Sequence, residues 1–250
     1  MKDGWKYAVA GGFGGAVLSL ALVFGAARSG LLPASGPSIR DYLMAHPEIL
    51  VDMTNQLQSD EQNDADAARQ AAVDKLGPKV FFDSNLAFIT GPANAKDTLV
   101  EFYDYDCPYC RASLPAVKKF YEMHKRNTRF AFIELPIPSL HGPGAVLAAR
   151  ASLAARRQPD KFVAFHFTLM GEDGAITEDA IYAAARKVGL DVAKLKADMA
   201  DSSVDLAVAR AHTLAEAAKV DGTPAFIING KIREGALDDK SLAKMTNAPT

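Results

Sequence analysis

The sequence predicts an α/β protein preceded by an N-terminal membrane segment and a helical arm. Three observations lead there. Residues 7–27 carry no charge, apolar residues recur at a helical period between residues 38 and 57, and from about residue 80 strand-like stretches alternate with helical ones. The 250-residue chain is 49% hydrophobic and 23% charged with a net charge of -2, so it can bury a sizeable core but has no field that would draw in nucleic acid. No nucleic-acid partner is expected.

Lys2 and Lys6 precede the uncharged run "YAVAGGFGGAVLSLALVFGAA", which closes at Arg28. The apolar core of a cleavable signal peptide runs about 7 to 15 residues, whereas a spanning helix needs about 17 to 25. Residues 1–28 are therefore expected as an uncleaved anchor held in the inner membrane by residues 7–27, with cleavage after Ala27 as the alternative. The early lysines keep the N-terminus cytoplasmic in both cases. Residues 29 onward are thus expected outside the cytoplasm, in the periplasm.

Residues 29–78 are expected to form a linker and a helical arm. "SGLLPASGPS" is rich in Gly, Pro and Ser. In the following "SIRDYLMAHPEILVDMTNQLQ", Ile39, Leu43, Leu50, Met53 and Leu57 make an apolar stripe, Ser38 is a plausible cap, and Pro47 starts a second helix. Two accounts of the stripe compete: it packs on the main domain, or residues 38–75 form a homo-oligomer. The polar, alanine-rich "SDEQNDADAARQAAVDK" suits an exposed helix or a spacer.

The main domain is expected over residues 79–250. "LAFIT" and "TLVEFYDY" read as strands, the second as an interior one. "YCRASLPAVKKFYEMHKR" has helical spacing with a kink expected at Pro115, and "RFAFIELPI" is a third strand. Residues 143–219 are helical almost throughout. "AFIIN" and "KIREG" then form a hairpin about Asn229-Gly230, and "DDKSLAKM" closes the chain as a short helix.

Both cysteines of the chain, Cys107 and Cys110, lie in "EFYDYDCPYCRASLP". As a staple the pair is poor, because disulfide stabilisation grows with the loop closed. As a zinc site it is incomplete, since a closed site needs four ligands. Reversible thiol-disulfide chemistry remains. The preceding strand runs straight into a helix, which places Cys107 at the helix N-terminus, where free N–H groups and the helix dipole favour a thiolate. Cys107 is expected to be the exposed nucleophile and Cys110, on the same helix face, the resolving thiol. Pro108 suits the first helical turn, and Pro108-Tyr109 is expected to tune the thiol pKa.

"VEFYDYDCPYCRASLP", "LPIPSLHGPGAVLAA" and "DGTPAFIINGK" resemble the DsbA-like family of thioredoxin-fold proteins, from about residue 80 to the end. The resemblance implies a thioredoxin fold whose helical insertion is the block at about 143–219. The anchor and arm resemble ScsC-like and Com-like members, some of which oligomerise through such an arm. The family's cis-proline corresponds to Pro224, with Thr223 before it offering main-chain groups to an extended substrate. Its buried carboxylate corresponds to Glu101, placed to take the Cys110 proton. Asp104 and Asp106 are weaker candidates for tuning charge. His141 and His166 have no nameable partner and read as ordinary core or surface histidines.

The expected function is extracytoplasmic thiol-disulfide exchange with unfolded or partly oxidised proteins. The direction favoured is that of a disulfide oxidase reoxidised by a membrane redox partner. The alternatives are an oligomeric isomerase or reductase, and a copper-binding module using the two thiols. No metal and no cofactor beyond the Cys107-Cys110 disulfide is expected.

Overall fold

A computed structural model describes residues 39–246. Described residues up to Glu61 form one compact unit and those from Gln62 onward a second. The expected anchor over residues 7–27 lies outside the described residues. Among the described residues, no helix is long and apolar enough to cross a membrane.

In the first unit, α1 (Ile39–Ala45) ends before Pro47, and α2 (Glu48–Leu76) begins after it. Proline disfavours helix for the residue before it and suits a first turn. Ile39, Met44, Leu50, Met53 and Leu57 are all more than half exposed. The "SDEQNDADAARQAAVDK" segment continues α2 without a break, and its residues from Gln62 on belong to the second unit.

There, β1 (Phe88–Thr90), β2 (Asp97–Tyr103), β3 (Thr128–Glu134), β4 (Ala225–Ile228) and β5 (Lys231–Glu234) form one sheet in the order β1-β3-β2-β4-β5. β2 and β3 are parallel, and the remaining pairs are antiparallel. The parallel connection is α3 (Pro108–His124), which continues through Pro115. After β3 come α4 (Pro138–His141), α5 (Pro143–Ala155), α6 (Pro159–Met170), α7 (Glu178–Lys187), α8 (Val192–Met199) and α9 (Ser203–Ala217). α10 (Asp239–Thr246) is the last described element. This is an α/β thioredoxin-like fold carrying a helical insertion between β3 and β4.

Strand alternation divides the core into two layers. Leu99, Tyr103, Phe130, Phe132, Phe226 and Ile228 join one layer with α3 and most of the insertion. Val100, Phe102, Ala131, Ile133, Ala225 and Ile227 join the other with α9 and the end of α2. β2 is central and buried on both faces, so its continuous apolar character follows from position. Strand β5 is at the sheet edge, and α2 occupies its open groups: the Gln70 side chain accepts from the Ile232 N–H at 3.1 Å and donates to the Gly230 carbonyl at 2.8 Å. Arg69 pairs with Glu234 at 2.8 Å. An edge strand covered in this way offers less to a foreign strand.

Candidate active site

The turn from β2 into α3 carries Cys107 as the N-cap residue of α3, with Pro108 in the first turn. The Cys107 N–H donates to the Asp104 carbonyl at 3.2 Å, and the Arg111 N–H returns to the Cys107 carbonyl at 3.2 Å. Arg111 fastens this turn from the side, donating through Nε to the Tyr105 carbonyl at 2.9 Å, to the Gly174 carbonyl at 3.0 Å, and to Asp106 at 3.1 Å. Gly144 leaves room for the same carboxylate, since a Cβ there would stand 2.3 Å from Asp106 Oδ2 and 3.0 Å from the Ile176 carbonyl.

The Thr223-Pro224 peptide is cis, and the Thr223 carbonyl oxygen stands 3.0 Å from Cys107 Sγ, where it accepts from that sulfur whenever Cys107 is a thiol. The cysteine and proline segments, separated by more than a hundred residues, therefore meet at one sulfur. The expectation of an exposed nucleophile is corrected here. Cys107 is buried, whereas Pro108 and Tyr109 are exposed, Tyr109 at 64%. The Thr223 segment covers the sulfur, which local spacing cannot convey.

The two thiols, both free, are held in unlike states. Cys107 is held down at about 5, first because the Cys110 thiol hydrogen-bonds its sulfur, with help from Thr223 and from the N–H groups of Cys110 and Tyr109, and against the opposing pull of burial. Cys110 is pushed well above the ordinary thiol range, first by burial and then by its role as donor to Cys107. A hydrogen bond shared this way assigns the proton to Cys110 and the charge to Cys107.

Glu101 lies on the same sheet face as the cysteines, between Phe132 of β3 and Phe226 of β4 in register. It is buried, and its Oε2 has no hydrogen-bond partner. Burial alone pushes its carboxyl up to about 8, so it is mostly protonated at neutral pH. Its charge, when present, raises the Cys110 thiol pKa further.

Two histidines given no partner from sequence have one. His166 is buried, with Nδ1 3.0 Å from the Tyr105 hydroxyl, and burial lowers its pKa to about 3, leaving it neutral. It adjoins a buried polar network in which Glu134 accepts from Tyr103, Ser152 and Arg156. His141 Nδ1 lies 2.7 Å from Asp104 Oδ2. Neither pairing has a local sequence signature, because the partners come from different elements. Among the described residues no group of three or more His, Cys, Asp or Glu side chains could hold a metal ion.

A family model described as the DSBA-like thioredoxin domain matches residues 98–247. The chain belongs to the DSBA-like thioredoxin domain family. That family is one of thiol-disulfide oxidoreductases, and a second model, the copper resistance protein ScsC N-terminal domain, matches residues 36–63. A thioredoxin-like oxidoreductase from Silicibacter pomeroyi is 38% identical with a TM-score of 0.59, over 66% of this chain and 92% of that one. The thiol:disulfide interchange protein DsbA of Bordetella parapertussis is 31% identical over 140 residues, 54% of this chain and 65% of that protein. The Na(+)/H(+) antiporter NhaA 1 of Salinispora arenicola is 30% identical over 167 residues, 66% of this chain but 25% of that protein. The chain thus spans about a quarter of the length of the NhaA relatives it matches.

Proposed function

We propose that this DSBA-like chain is an extracytoplasmic disulfide oxidase of protein substrates, with the Cys107-Cys110 disulfide as its sole redox group. The observation that carries the direction is the charge assignment at the two sulfurs. A Cys107 thiolate stabilised by the Cys110 thiol and the start of α3 makes the reduced chain favourable, and a favourable reduced state makes the disulfide an oxidant.

In the forward direction a substrate thiolate attacks Cys107 Sγ, the Cys107-Cys110 bond breaks, and Cys110 leaves as a thiolate. Glu101, protonated near neutrality, is the acid that supplies the proton Cys110 then takes up. A second substrate thiolate attacks the substrate sulfur of the mixed disulfide, giving the substrate disulfide and expelling Cys107 as the stabilised thiolate. While Cys107 is bonded to substrate its sulfur is neutral and has no S–H, so the Thr223 carbonyl beside it faces neither a thiolate nor a thiol and accepts an N–H from an extended substrate beside Pro224. Pro108 and Tyr109 set the first helical turn whose N–H groups face the Cys107 sulfur. A membrane redox partner would return the disulfide, and residues 7–27 would anchor the chain in the inner membrane. Periplasmic localisation is in keeping with the periplasmic thioredoxin-like protein of Salmonella enterica among its structural neighbours.

The test is direct: oxidised chain mixed with a reduced, unfolded disulfide protein should transfer its disulfide stoichiometrically. Oxidised chain that leaves such a substrate reduced would overturn the proposal.

The arm favours a second reading, an oligomeric isomerase or reductase. Leu50, Met53 and Leu57 are all more than half exposed in a stretch matching the ScsC N-terminal domain, and such a stripe gains by pairing with copies of itself. The full chain should sediment as an oligomer, and changing these three residues together to serine should give a monomer of unchanged exchange rate. A monomeric wild type would remove this reading and leave the oxidase one.

A further inference from the structure

Asp104 touches both cysteines through its backbone and a histidine through its side chain. Its N–H faces Cys110 Sγ at 3.5 Å, and its carbonyl accepts from the Cys107 N–H at 3.2 Å. Its carboxylate is fully buried and accepts three hydrogen bonds: from the Asp106 N–H at 3.0 Å, the Ile137 N–H at 2.8 Å and His141 Nδ1 at 2.7 Å. An imidazole that carries a proton on Nδ1 donates to this carboxylate. His141 is the one side chain among these three donors, and it closes α4, the short helix that enters the insertion.

The N–H of Asp104 matters to one of the two sulfurs. It is the group that favours a Cys110 thiolate against burial, whereas the groups that favour the Cys107 thiolate are Cys110, Thr223 and the N–H of Tyr109. Fixing the Asp104 carboxylate fixes the orientation of that N–H.

We infer that His141 is a positioning residue for the step at Cys110: by holding the Asp104 carboxylate, it keeps the Asp104 N–H on the Cys110 sulfur as that sulfur gains or loses negative charge. The inference rests on the exchange chemistry above and assigns a residue to its Cys110 half. In the closing direction the Cys110 thiolate attacks the Cys107 sulfur of a mixed disulfide, the bond to the outer sulfur breaks, and the outer group leaves as a thiolate. In the opening direction Cys110 is itself the leaving thiolate. The same N–H serves both.

The reduced full chain, its His141→Ala variant and its His141→Asn variant are each mixed with glutathione disulfide. Acid quenching and mass measurement then follow first the glutathione adduct of Cys107 and then the closed Cys107-Cys110 disulfide. His141→Ala should form the adduct within about twofold of the wild-type rate and close it about tenfold more slowly. His141→Asn, whose amide can donate to the same carboxylate, should restore closure to within about threefold of wild type. Unchanged closure in His141→Ala would overturn the inference, as would equal slowing of both steps or a folded His141→Asn variant that closes no faster than His141→Ala. A wild-type chain that forms no adduct would overturn the exchange reading itself, and the inference with it, which sets that failure apart from the others.

Discussion

Replacing Cys110 with alanine is expected to raise the Cys107 thiol pKa well above its value of about 5, though not back to the ordinary 9. The Cys110 thiol is the largest cause of the low value, while Thr223 and the N–H groups at the start of α3 remain in the variant. At pH 6 a thiol with a pKa of about 5 is roughly nine-tenths ionised, and the ultraviolet absorbance of the thiolate reads that fraction directly. The same substitution removes the internal attack on the mixed disulfide, so glutathione adducts of Cys107 should accumulate rather than pass. Stability should follow the charge. Cys107 has a lower pKa folded than unfolded, so the reduced chain gains stability that is complete above pH 9 and is lost as pH falls through about 5. At pH 7 this contributes about 3 kcal/mol in the reduced wild type, and part of it should disappear in the Cys110→Ala variant. An unchanged titration would mean that the helix end and Thr223 set the Cys107 charge without Cys110, and the proposed sharing of one proton between two sulfurs would be wrong.

Replacing Glu101 with glutamine is expected to abolish a pH dependence, so that the stability difference from wild type changes sign with pH. The Glu101 carboxyl is raised from about 4.5 to about 8, so the fold favours its protonated form. Its contribution is fully present below pH 4.5 and is lost as pH rises through 8, a change of at most a few kcal/mol. Glutamine does not ionise, but it buries an amide where Oε2 already lacks a partner, at a cost of about 1 to 3 kcal/mol. The variant should therefore be less stable than wild type near pH 4 and equal or more stable above pH 8. Denaturant unfolding of the oxidised chain isolates this term, because the disulfide removes the thiol titrations. Exchange should also slow by about tenfold or more, since glutamine cannot pass a proton to Cys110. A stability difference independent of pH would show that Glu101 is not held protonated. Wild-type exchange in the variant would remove its role as proton donor.

What the sequence made legible was what is local. The strand, turn, proline and helix around Cys107 follow each other along the chain, so spacing alone placed Cys107 at the start of α3. Strand alternation put Glu101 on the same side as Tyr103, and the central position of β2 is what makes that side a buried one. The arm stripe was readable as period, although its partner was not. What stayed hidden was contact between distant segments. Covering of Cys107 depends on a carbonyl 116 residues away, and the His141 contact on a carboxylate 37 residues away. The Tyr103, Glu134 and Ser152 network draws one residue each from β2, β3 and α5, with no shared period. The Gln62–Leu76 part of α2 looked like a solvated spacer because its polar side chains cover the edge of β5 rather than fill a core.

The most direct test of the central claim is the reduction potential of the Cys107-Cys110 pair in the full chain, equilibrated against glutathione at pH 7. A Cys107 thiolate stabilised in the reduced state predicts a potential toward the oxidising end, near about -120 mV, on the scale where thioredoxin lies near about -270 mV. A potential at the thioredoxin end would contradict the account, because the disulfide would then be too stable to give away and the chain would have to receive electrons instead.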